Sequence, residues 1–155
     1  MKNIIEDKKI DILISALEER YQAMHNIRDR VQNTGIWILG ILGSIGGWII
    51  QSDISFSCIE KKFYILTLFI TFIVIRFEYL KDLNKGFKGQ QRTTAKIEKS
   101  LGFFTPKFFS DEGDSMYPKS WEHAGTEKGD GAFFRTTYLL IYIGFLFVTL
   151  AILMN

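Results

Sequence analysis

Along the chain, apolar residues gather into long uncharged tracts, separated by tracts in which charge recurs every few positions. Such segregation suits a chain that alternates between lipid and water better than one folded around a soluble core. The first tract, Gly35 to Ile50, contains no Asp, Glu, Lys or Arg. As a helix it covers about 24 Å, and Val31 to Thr34 can lengthen it toward the thickness of a bilayer. Trp37 and Trp48 lie near its ends, where indole rings favour the headgroup region. The second tract, Phe63 to Leu80, is rich in Phe, Ile and Leu and carries charge only at Arg76 and Glu78. The third runs from Ala132 to Met154, with Arg135 near its start. The pattern predicts an all-α integral membrane protein with three transmembrane helices.

Ahead of the first span, Ile10, Ile14, Leu17, Tyr21, Met24 and Val31 recur at steps of four and three, interrupted by Arg28. Glu18, Glu19, Arg20, Asp29 and Arg30 occupy the other side. This predicts an N-terminal amphipathic cytoplasmic helix over 1–34 that feeds into the span at 35–51 and joins protomers through its apolar face. A loop at 52–62 leads to the span at 63–80. Beyond it, helix-favouring residues continue toward Leu101, with Gly102 as a stop signal. From Phe103 to Gly131 the periodicity fails. Phe103, Phe104, Phe108 and Phe109 surround Pro106, and Tyr117 and Trp121 follow, so an irregular loop is expected whose aromatics touch the membrane surface or other helices. The segment 81–131 is thus a cytoplasmic helix with an aromatic loop, leading to the span at 132–154.

Basic residues fix an expected orientation, because Lys and Arg close to spans stay on the cytoplasmic side. They crowd the segment from Lys2 to Arg30 and the segment from Lys81 to Lys128, whereas the loop at 52–62 has only Lys61 and Lys62. The N-terminus and the long loop are therefore expected in the cytoplasm, and the loop at 52–62 and the C-terminus outside, in a bacterial inner membrane. The charged first thirty residues do not resemble a signal peptide, so the chain is expected to be inserted rather than secreted.

Within the first span, Gly40, Gly43, Ser44 and Gly47 share one helical stripe suited to close packing. Lipid offers helices no hydrophobic reward for joining, so small residues that let backbones approach are one of the few sources of packing energy. The partner, a helix of the same chain or of another copy, stays open at this point. Gly35 and Gly46 lie off the stripe and read as flexible positions. Arg76 and Glu78 are the charges within an apolar span, and Arg76 lies close enough to its end to snorkel into the headgroups. The competing role for the pair is lining a pore or holding a subunit contact. The cluster of His25, Asn26, Arg28, Asp29 and Arg30 reads as a solvated face or a contact with anionic lipid, with proton sensing by His25 as the alternative.

Composition adds exclusions. The 155 residues are 47% hydrophobic and 15% aromatic, and the mean hydropathy of +0.09 averages two very different kinds of segment. A net charge of +2 gives no dense basic face, so no nucleic-acid partner is expected. One cysteine, Cys58, excludes an internal disulfide, and with His25 and His123 it cannot complete a zinc site. Asp111, Glu112 and Asp114 match no calcium-loop spacing. Neither a nucleophile elbow nor a phosphate loop is present, so no catalytic residue, metal or cofactor is expected.

The layout over residues 10–101, together with Arg20-Tyr-Gln-Ala-Met-His-Asn-Ile-Arg-Asp-Arg30 and Lys96-Ile-Glu-Lys-Ser-Leu-Gly102, resembles the SLATT-like small membrane effectors of bacterial anti-phage systems. The third span departs from their two-span pattern. The resemblance implies spans that assemble and disrupt the membrane when a partner detects infection. Two functions follow as expectations: an oligomeric membrane effector or channel-like subunit, or a membrane anchor or scaffold for a soluble cytoplasmic protein. The expected partners are the lipid bilayer, further copies of the chain and, in the second reading, that protein.

Overall fold

The computed structural model describes residues 2–52, 54–109 and 113–155, with side chains from Glu6 onward. Among the described residues the regular elements are all helical: α1 (Lys2–Gln51), α2 (Cys58–Ile73), a π-helical turn (Val74–Tyr79), α3 (Leu80–Ser100), a 3-10 turn (Lys119–His123) and α4 (Ala132–Met154). Three helical runs, in α1, from Cys58 through the π turn into α3, and in α4, are long and apolar enough to cross a membrane. The apolar tracts at 35–51, 63–80 and 132–154 fall within them. Hydropathy sets the second tract at Phe63, yet the helix begins at Cys58 because Ser57 caps it. The Ser57 Oγ accepts from the Glu60 N–H at 3.3 Å, and the Ser57 N–H donates to the Glu60 carboxylate at 2.8 Å. That backbone N–H, followed by the hydroxyl, holds the Glu60 carboxyl below its usual range.

Packing divides the chain into two units. The first comprises the residues up to Arg28 together with Lys85–Gly129. Among the described residues its buried apolar side chains are few, Leu17, Ala95 and Phe104, and α3 also buries Thr94 and Glu98. Helix α3 ends where Gly102 turns to φ +83°: the Phe103 N–H reaches the Glu98 carbonyl and the Gly102 N–H the Lys99 carbonyl, a Schellman closure. The polypeptide beyond is clipped back onto α3. Arg92 Nε donates to the Gly125 carbonyl at 2.6 Å, Lys88 donates to the Glu127 and Gly129 carbonyls, and Lys99 pairs with Glu122 at 2.5 Å. The bond from Lys99 draws the Glu122 carboxyl below its usual range.

The second unit, Asp29–Asn84 with Asp130–Asn155, holds most of the apolar core. Helix α1 contributes Val31, Gly35, Leu42, Gly46 and Ile49, and α4 contributes Phe134, Thr137, Ile141, Gly144, Val148 and Ala151. The α4 row advances by threes and fours, and the α1 row by three, four and one step of seven, the period of a helix-pair seam. Gly35 and Gly46, read from the sequence as flexible, are contact points: a Cβ on Gly35 would lie 3.2 Å from Thr137, and one on Gly46 would collide with the Phe147 ring. Helix α2 joins α4 through Phe72, whose ring meets those of Tyr142 and Phe145 at 6.1 and 5.4 Å, and it buries no residue fully. Phe63, Leu66, Phe69 and Ile70 are more than half exposed, a surface suited to hydrocarbon. The hydroxyls of Thr67 and Thr71 donate to carbonyls one turn back, at 3.0 and 2.9 Å, so this surface satisfies its own polar groups.

Candidate functional site

Helix α1 presents two faces in the second unit. At about 100° per residue, the stripe of Gly40, Gly43, Ser44 and Gly47 is centred about 145° around the helix from the Val31–Ile49 seam. A Cβ added at Gly40, Gly43 or Gly47 would meet nothing within 4 Å, whereas Gly35 and Gly46 are in contact with α4 side chains. The Ser44 hydroxyl donates to the Gly40 carbonyl at 2.9 Å, leaving no donor unsatisfied should the stripe face lipid or another helix. The small residues that pack within the chain are therefore not those of the stripe.

The charged site centres on Arg76, inside the π turn. There the Leu80 N–H bonds the carbonyl of Ile75, five residues back, which widens one turn of an otherwise apolar helix. The Arg76 Nη2 donates to the Asp130 carboxylate at 3.0 Å, and its guanidinium lies 3.6 Å from the centroid of the Tyr138 ring. The buried Asn84 donates through Nδ2 to the other Asp130 oxygen at 2.5 Å. Glu78, also singled out in the sequence, is exposed. Sequence reasoning singled out Arg76 but missed Asp130 and Asn84, because the ion pair closes over 54 residues. The available signal was Asp130 itself, an acid between two glycines just before an apolar tract.

The apolar row on the N-terminal part of α1 is divided in its use. Leu17 is buried in the first unit, Val31 is fully buried in the second, Met24 is half-buried, and Ile10 and Ile14 are exposed. Tyr21, a seam position in the sequence reading, instead donates its hydroxyl to Glu98 on α3 at 2.5 Å. Burial, then that bond, pushes the phenol well above its usual range. Tyr21→Phe should leave the buried Glu98 short of a donor and destabilise the first unit by about 1–3 kcal/mol, read as a loss of amide-exchange protection in α3. Unchanged protection would make the bond incidental.

In the aromatic loop, Phe103 packs on Phe109 and Tyr117, and Tyr117 on Trp121, with centroids 5.2–5.5 Å apart. Ile10, Leu13 and Ile14 line an open groove of about 560 Å³ with Leu101, Phe108 and Phe109. Asp111 and Glu112 lie outside the described residues, and Asp114 is exposed. The chain matches no protein-family model, no curated protein and no solved structure.

Proposed function

We propose that the chain is a multi-pass protein of a bacterial inner membrane that assembles with copies of itself into an effector or channel-like complex. Three apolar helices with largely exposed flanks support the membrane setting, and the uneven Lys and Arg content supports a cytoplasmic N-terminus and long loop. The observation that carries the assembly is the open stripe of Gly40, Gly43, Ser44 and Gly47, set opposite the seam already used within the chain. A helix that is packed on one face and smooth on the other has a surface on which a second backbone can approach closely. The resemblance to SLATT-like effectors gives this assembly its role, membrane disruption in anti-phage defence. No enzymatic step is assigned.

A second reading, a membrane scaffold for a soluble cytoplasmic protein, is favoured by the groove beside the exposed Ile10 and Ile14. Reconstitution of the full chain into dye-loaded liposomes separates the two. An effector releases dye with a steeper than linear dependence on protein per vesicle, and a scaffold leaves the vesicles sealed at every loading.

Orientation has its own test. Cys58, the single and exposed cysteine, starts α2 at the end distant from Arg76. In cells with an opened outer barrier, a membrane-impermeant maleimide should label Cys58. It should spare a Ser115→Cys substitution made in a Cys58→Ser background. The opposite labelling pattern would invert the topology.

A further inference from the structure

We propose that the second unit carries a binding site for one anionic phospholipid, in the groove where α1 passes the π turn. The groove, of about 340 Å³, is lined by Arg30, Asn33, Thr34, Trp37, Ile38 and Ile41 of α1, with Tyr79 as its other wall. Its chemistry changes along the helix. Arg30, Asn33 and Thr34 form the polar end, and Trp37 and Ile41, 72% and 55% exposed, continue it as an apolar trough. From Arg30 to Ile41 is about 16 Å of helix, close to the depth of one leaflet. The Thr34 hydroxyl donates to the Tyr79 hydroxyl at 3.4 Å, tying the two walls together where polar gives way to apolar.

This order matches a phospholipid: phosphate at the guanidinium, glycerol region at the amide and hydroxyls, and an acyl chain against the indole and isoleucine. The other guanidinium beside the π turn, Arg76, is committed to Asp130 and Tyr138, so Arg30 is the cation that the groove offers a phosphate. An apolar peptide would leave that charge facing nonpolar surface, which disfavours it. A net negative headgroup fits better than a zwitterion because no carboxylate lines the groove to receive a choline or ethanolamine. The inference rests on the membrane reading above.

Trp37 is a built-in reporter. In the full chain carrying Trp48→Phe and Trp121→Phe, reconstituted in phosphatidylcholine vesicles with a minor share of phosphatidylglycerol, Trp37 fluorescence is measured with bromine placed on one lipid at a time. The site predicts that brominated phosphatidylglycerol quenches Trp37 as though enriched about fivefold over its share of the bilayer. Arg30→Gln should return quenching to that share, and Arg30→Lys should keep most of the enrichment. Arg28→Gln, a charge loss outside the groove, should leave it intact, and brominated phosphatidylcholine should quench every variant alike. Quenching in proportion to share, or an equal loss in Arg28→Gln and Arg30→Gln, would overturn the site. If neither brominated lipid quenches Trp37, the membrane reading fails together with the site.

Discussion

Gly144→Leu should separate α4 from α1 and lower the stability of the second unit by about 3 kcal/mol, near the upper end for overpacking a core. A Cβ alone at this buried position would lie 3.0 Å from Leu42 Cδ1, 3.1 Å from Leu39 Cδ2 and 3.6 Å from Leu42 Cβ. The first two atoms end flexible side chains and can turn aside. The third is fixed to the α1 backbone, so the remaining carbons of a leucine are accommodated only by moving one helix. At Gly43, about 100° around α1 from the seam, an added Cβ would meet nothing within 4 Å, and Gly43→Leu should leave this stability unchanged. Unfolding by a denaturing detergent in mixed micelles reads both variants. Similar losses in the two would mean that the faces of α1 are not distinct.

The next largest effect is expected at Asp130. Its carboxylate accepts from both Arg76 and the buried Asn84, so Asp130→Leu strands a guanidinium and an amide in one step. A fully buried pair broken in this way costs about 3–5 kcal/mol. Here the Arg76 and Asp130 side chains are 26% and 31% exposed, and solvent screening reduces the expected loss to about 2 kcal/mol. Removing the stranded cation should recover part of it: Arg76→Leu with Asp130→Leu should be more stable than Asp130→Leu alone, since an apolar pair can replace an ion pair at little cost, while the buried Asn84 amide still lacks its acceptor. The same micelle titration measures the cycle. If Arg76 merely reached headgroups, Asp130→Leu alone would cost almost nothing and the double variant would gain no ground.

What the sequence revealed, and what it hid, follows the range of each interaction. The three apolar helices were legible because a helix long and apolar enough to cross a membrane needs a long run with little charge, which hydropathy detects directly. Their local ends were less so. The start of α2 at Cys58 was written in the Ser57 and Glu60 capping box, but a hydropathy reading passes over it. Which glycines pack within the chain was not legible, because α1 has small residues on two faces and only the fold shows that α4 takes the one bearing Gly35 and Gly46. The π turn left no pattern in residue type. Tyr21 fitted an apolar repeat by its ring, while its hydroxyl, which the repeat ignores, seeks Glu98. For the same reason Arg76 was noticed as a charge out of place, and its partner Asp130 was not.

The proposed assembly depends on the open stripe of α1, and the size of the complex in a bilayer tests it. Native mass spectrometry of the full chain released from membrane vesicles should find multimers for the parent. It should find mainly monomers for Gly43→Leu with Gly47→Leu, with the helix content of the parent retained. Monomers in the parent, or multimers undiminished in the double variant, would contradict assembly through this face.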